Sequence, residues 1–141
     1  MIKQKTGSWN ELASDAMAVR LTVFVHEQKV PEEIEQDDQD PLCTHLVVYN
    51  EHDQPIATGR LLPNGHIGRL AVMRDYRQQG LGAHVLQHLL EVARQQGHIE
   101  VELSARLSAK AFYEKAGFVA IAAPHMEAGA EHVRMRHVLT I

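Results

Sequence analysis

Where an apolar run ending near Met73 gives way to a helical repeat, the chain reads Arg77-Gln78-Gln79-Gly80-Leu81-Gly82. Two glycines there let the backbone approach an anion closely, and the unsatisfied N–H groups and dipole of a helix start add partial positive charge. The chemistry on offer is phosphate binding. A nucleoside-triphosphate loop needs Lys and then Ser or Thr after its last glycine, yet Ala83 and His84 follow Gly82. The dinucleotide fingerprint needs a third small residue where Val85 stands. Both common phosphate loops are disfavoured, and on these residues alone a glycine-containing turn that merely starts a helix fits equally well.

The chain has 10 histidines, and His84 with His88 has the i, i+4 spacing that sets two imidazoles on one helix face. No Glu follows the first of them directly, and Gln87, Glu91 and Gln95 share their polar face, so the pair reads as solvated surface. No metal is expected. Cys43 and His45 fall on one strand face and could form a thiol–imidazole pair, but a lone cysteine at a strand start is more often a small buried apolar residue.

These residues must be positioned by a chain of 141 residues, which suits one domain, 1–141. With 45% hydrophobic and 23% charged residues the composition supports a packed core. A net charge of −4 offers no basic stripe for phosphates, so nucleic acid is not expected as a partner. The single cysteine permits no internal disulfide, which favours a reducing cytoplasm. There is no apolar signal core at the N-terminus and no run of the roughly 18 apolar residues that a membrane span requires.

Apolar spacing predicts a helix from Asn10, as N-cap, to about His26. The acidic stretch from Pro31 to Pro41 reads as an exposed, mobile loop or short helix. Strand-like runs at His45–Tyr49, Ile56–Leu62 and His66–Met73 suggest an antiparallel meander. An amphipathic helix follows Gly82 and ends at Gly97, with Leu81, Val85, Leu86, Leu89, Leu90 and Ala93 on one face. Ile99, Val101 and Leu103 alternate as a strand, Ser108–Ala116 reads as a short helix, and Phe118–Ile121 and His132–Leu139 read as closing strands. A sheet flanked by helices is the economical architecture.

The pattern Arg77-x-x-Gly80-x-Gly82 after Leu70-Ala71-Val72 resembles the pyrophosphate motif of the GNAT acetyltransferases, and Ala111-Phe112-Tyr113-Glu114-Lys115-Ala116-Gly117-Phe118 resembles that family's second motif. Arg20, Val23, Phe24, Val25, Glu27, Gln28, Val30, Pro31, Glu35, Asp37, Asp40 and His45 resemble the N-terminal signature of a subgroup of small bacterial members. Glu127, Gly129, His132 and Met135 resemble its closing pattern, while Arg106 stands where relatives usually carry Asn or Gln. The resemblance covers essentially the whole chain. It implies an α/β (α+β) fold with a mixed central sheet of about six to seven strands flanked by about four helices.

It further implies transfer of an acetyl group from acetyl-coenzyme A to a primary amine that attacks the thioester directly, with no acyl-enzyme. Leu70, Ala71, Val72, Arg77, Gln78, Gln79, Gly80, Leu81, Gly82, Ala83 and Phe112 would line the cofactor, and a backbone N–H near Val72 would hold the carbonyl oxygen. Tyr113 would protonate the departing thiolate. For the base that deprotonates the ammonium, His132, His45, Glu27 and Glu35 are open, as is relay by water; histidine needs the least tuning and His132 matches the tail. Glu27, Glu35, Asp37 and His45 are candidates for the amine site, since acidic residues from Glu27 to Asp40 could form a rim attractive to a cation. Homodimers are common in that family, and the resemblance is the only ground for expecting one here.

Two other readings compete. Arg20, Phe24, Glu35, Asp37, Asp40 and Arg60-Leu61-Leu62-Pro63 also resemble the acyl-homoserine-lactone synthases, for which the chain is short. A sensor that binds coenzyme A without transferring from it is the non-enzymatic alternative, against which the intact Tyr113 argues. The identity of the amine does not follow from one sequence, because acceptor contacts sit on variable loops.

Overall fold

A computed structural model describes residues 3–139. Strand β1 (Lys3–Gly7) leads into helix α1 (Trp9–Arg20). The helix begins two residues earlier than the sequence suggests because Ser8, not Asn10, is its cap. The Glu11 carboxylate accepts from both the Ser8 N–H and the Ser8 hydroxyl at 3.0 Å, which occupies a donor the helix start would otherwise leave open. From Leu21 to Glu27 the winding widens to a π-helix, a form found mostly at functional sites.

The acidic stretch contains the short helix that is one of its two expected forms, but two of its carboxylates are buried rather than exposed. It folds into a turn of helix, α2 (Glu32–Glu35), followed by a 3₁₀ turn at Asp40–Leu42 that buries Glu35 and Asp40. Charged side chains can leave water only when paired, and here they are. Arg20 donates through Nε to Glu35 Oε2 at 2.8 Å and through its terminal nitrogens to Asp40 Oδ1 at 2.8 Å and Oδ2 at 3.0 Å. Arg60 reaches Asp37 and Asp40, and Arg69 reaches Glu35 and Asp37.

Strands β2 (Thr44–Tyr49), β3 (Pro55–Leu61) and β4 (His66–Val72) form the meander, and helix α3 (Leu81–Gln95) follows. Next come β5 (Glu100–Arg106), a 3₁₀ turn at Leu107–Ala109, α4 (Lys110–Lys115), β6 (Val119–Ala120), β7 (His125–Glu127) and β8 (Ala130–Val138). The eight strands make one mixed sheet in the order β1-β2-β3-β4-β5-β8-β6, with β7 paired to β8. β6 falls within the strand expected at Phe118–Ile121, whereas β1 and β7 lack the apolar alternation that marks a strand and have no counterpart among the strand-like runs of the sequence. Helix α3 lies against β3 at Gly59, where a Cβ would come within 2.8 Å of Leu89 and 2.9 Å of Val85. The main core joins that helix to Leu46, Ile56, Ile67, Leu103, Phe118 and Met135. On the opposite face α1 packs Leu12 and Ala16 on Val47 and Tyr49.

Every strand contact is antiparallel except β4 with β5. That parallel pairing joins His66 to Glu102 and Ile67 to Leu103 and then stops. Past Ile67 and Leu103 the two strands separate, which opens a gap in the middle of the sheet. Both α3 and α4 start beyond the far ends of these strands, so the gap faces two helix beginnings.

Candidate active site

The gap is edged on one side by Gly68–Val72. The Met73 N–H donates to the Ile56 carbonyl on β3 at 2.9 Å. Because successive strand N–H groups point to opposite edges, the Val72 N–H then points away from β3 and into the gap. Arg69 has φ +52, and β3 and β4 shift register between Thr58 and Arg60. This bulge turns Ala71 toward the α1 side, onto Val19 and Val23, and Leu70 and Val72 toward α3.

Beyond β4 the chain turns through a 3₁₀ turn at Arg74–Tyr76 into the glycine loop. Gln78 with φ +62 and Gly80 with φ +81 are both left-handed, and Gly80 is the N-cap of α3 with no side chain capping it. The amides from Gln78 to Ala83 have no acceptor among the described residues. Successive N–H groups in such alternating conformations form a concave anion receptor. Gly82 packs under α4: a Cβ there would lie 3.3 Å from Phe112 and 3.8 Å from Val72. The loop, β4 and α4 thus meet at that glycine.

Arg77 does not aim its charge at the receptor. Its Nε donates to the Val72 carbonyl at 2.9 Å, and its terminal nitrogens grip both Glu27 oxygens at 2.5 and 2.7 Å. Those hydrogen bonds hold the Glu27 carboxyl below its usual range against the opposing effect of burial. The π-helix therefore clamps the glycine loop to the end of β4. A concavity beside this clamp, between Thr22, His26, Glu27 and Met73–Tyr76, opens toward the α1 side.

Tyr113 packs edge-on against Phe112 and Phe118 at ring distances of 5.0 and 5.9 Å. Burial pushes its hydroxyl pKa up to about 12, so it keeps its proton at neutral pH. Among the described residues that hydroxyl has no hydrogen-bond partner, and the side chain is only half-buried, so water can reach it. The other edge of the gap is β5, and behind it His132 is buried on β8 opposite Arg106. Its Nδ1 lies 2.9 Å from the Ala130 carbonyl. A carbonyl can only accept, so Nδ1 carries the hydrogen and Nε2 holds a free lone pair when the ring is neutral.

The other sequence candidates are not gathered there. Glu35 and Asp37 are held in the arginine network, with Asp37 lowered to about 2 chiefly by its hydrogen bond from Arg60. His45 is buried, with Nε2 2.9 Å from the Asp40 carbonyl and Trp9 against its ring at 4.8 Å; burial lowers its pKa. Cys43 donates to the Gln39 carbonyl, and burial raises its thiol to about 11, far from a reactive thiolate. His84 and His88 stack at 4.9 Å on the exposed face of α3, and no group of three or more metal-ligating His, Cys, Asp or Glu side chains occurs among the described residues. Sequence reasoning passed over Arg60 and Arg69 as holders of the acidic segment. Their signal was present: two arginines on strands facing an acidic stretch require pairing.

The gap in the mixed sheet thus faces an uncapped helix start and the Tyr113 side chain of α4. The acetyltransferase (GNAT) domain family matches residues 11–139, and the chain belongs to that family. It is 33% identical over 129 residues to YjcF of Bacillus subtilis, an N-acetyltransferase itself uncharacterized, a match covering 89% of this chain and 91% of that one. Among solved structures it is similar to an acyl-CoA N-acyltransferase of Pseudomonas aeruginosa, with TM-score 0.88, 29% identity and coverage of 98% and 100% of the two chains. A GNAT family acetyltransferase of Elizabethkingia anophelis solved with acetyl-CoA bound shares the fold at TM-score 0.70 and 15% identity, with 98% of each chain covered.

Proposed function

We propose that the protein, as one domain with one site, transfers an acetyl group from acetyl-CoA to a primary amine within a ternary complex. The observation that carries this reading is the glycine loop whose amides from Gln78 to Ala83 lack acceptors at the start of α3, with the protonated, partnerless Tyr113 hydroxyl on α4 beyond Gly82 and Phe112. The loop amides from Gln78 to Ala83 receive the pyrophosphate. The thioester carbonyl lies in the gap and accepts from the Val72 N–H, which stabilises the oxygen as it gains charge. Nε2 of His132 takes a proton from the ammonium, and the freed nitrogen lone pair forms the new C–N bond. The C–S bond breaks as the intermediate collapses, and Tyr113 gives its proton to the sulfur. The nitrogen's second proton leaves through water to restore Tyr113, and His132 releases the first to solvent, so one proton is freed per turnover.

A panel of primary amines, assayed by release of free thiol from acetyl-CoA, tests this. Thiol release that depends on the amine, with N-acetylated product in the mass spectrum, is the expected result. An acetylated enzyme formed without amine would overturn direct attack, and acetyl-CoA binding with no transfer to any amine would favour a sensor.

A further inference from the structure

We propose that Glu127 is the binding site for the acceptor's ammonium group, held through its Oε2. The inference rests on the reading of the gap as a transfer site and adds what the acceptor must carry. Glu127 is the last residue of β7, and the hairpin to β8 closes with Glu127 opposite Ala130. Ala128 and Gly129 between them have φ +49 and +81, the two left-handed residues of the tightest hairpin turn. The backbone beneath the carboxylate is therefore fixed.

Two donors converge on one of its oxygens. Ser104 Oγ donates to Oε1 at 2.9 Å, and His125 Nε2 lies 3.0 Å from the same atom. Oε2 has no partner among the described residues, and the side chain is 49% exposed. Ser104 is the first residue of β5 beyond its last pairing with β4, so the carboxylate is tied to the edge of the gap. Its charge acts on His66 of β4 and on His132 of β8, one on each side. Burial opposes its ionisation, but the hydrogen bonds from His125 and Ser104 prevail and keep it anionic at neutral pH. Nearby Arg134 is engaged by Glu102 at 2.9 Å. The result is an oriented carboxylate with one oxygen presented at the gap, beside an imidazole with a free lone pair. A protonated primary amine satisfies the first and can surrender its proton to the second.

The probe is n-butylammonium, titrated at constant pH while the imidazole resonances of His125 and His132 are followed by NMR, with neutral n-pentanol as control. Saturable shifts with the cation and none with the alcohol are expected. Glu127→Gln should weaken the cation by roughly tenfold or more, as loss of a hydrogen bond to a charged group implies, and Glu127→Asp should recover part of the affinity. No saturable shift in the unaltered protein, equal affinity in Glu127→Gln, or equal response to the alcohol would overturn the proposal. The two readings fail separately. Cation binding without thiol release in the amine panel removes the transfer reading alone, whereas thiol release with an unchanged amine KM in Glu127→Gln removes the ammonium site alone.

Discussion

At the scale of single residues, the transfer proposed above depends on what Tyr113 and His132 lack rather than on what they touch. A hydroxyl with no partner is free to meet a sulfur, and an imidazole whose Nδ1 is already committed presents one defined basic nitrogen. Tyr113→Phe should leave acetyl-CoA affinity unchanged by calorimetry and lower kcat by something like the ~10²–10⁴-fold of general acid catalysis. Full turnover in that variant would reduce the tyrosine to packing. His132→Asn should flatten or displace the acid limb of the kcat/KM profile, with the residual rate rising with pH as free amine becomes available unaided. An unaltered limb would move the base elsewhere. Both residues were legible in the sequence only through motif position. The tautomer of His132 and the isolation of the hydroxyl depend on atoms brought from β8 and α4, which no local pattern encodes.

At the scale of elements, the glycine loop proposed to take the pyrophosphate is held from outside itself. Its glycines supply left-handed backbone and close approach, but the loop is fastened by Arg77 to the Val72 carbonyl and to Glu27 on the π-helix. Glu27→Gln should keep the fold and weaken acetyl-CoA by roughly tenfold, because one of the two bonds of the clamp is lost: the amide nitrogen cannot accept from the guanidinium. Gly82→Val should weaken it further and lower stability by about 1–3 kcal/mol, since even one added carbon sits 3.3 Å from Phe112. Unchanged affinity in Gly82→Val would remove the loop from the cofactor site. The strands of the meander and the long helix were legible because each carries one clear period over enough residues. The π-helix was not, for its apolar spacing continues that of α1, and its widening becomes visible only once Glu27 meets a residue fifty positions away.

At the scale of the whole molecule, the arginine network joins α1, α2, β3 and β4 through charges buried out of water. Asp40 is fully enclosed and bonds to both Arg20 and Arg60. Asp40→Asn should cost about 3–5 kcal/mol in chemical denaturation, because it leaves buried guanidinium charge uncompensated. The carboxyl pKa values of Asp37 and Asp40 are lower in the folded protein than in the unfolded chain, so their stabilisation is complete above the usual carboxylate range. It should fade as pH falls from about 4 toward about 2. His45 is depressed by burial and acts in the same direction at a higher pH, from about 6.5 downward. Thermal unfolding followed across that range should show both losses; His45→Asn should diminish the upper one, the remainder coming from His66, which burial also depresses, and leave the lower one unchanged. That an acidic segment folds inward was not legible from its composition, because the partners that neutralise it lie on distant strands.

The abrupt end of the β4–β5 pairing has a consequence for hydrogen exchange. A strand that loses its neighbour partway along keeps peptide groups with nothing to hold them, and here that bare edge lies inside the protein rather than on its rim. The amides of Leu70 and Val72, which face the gap, should exchange with deuterium far faster than those of Ala71 and Met73, which are bonded to β3. A single strand would then show fast and slow positions in strict alternation. Any bound molecule that offers a carbonyl to that edge would erase the alternation one amide at a time, so the exchange pattern of β4 would record where along the gap the molecule lies.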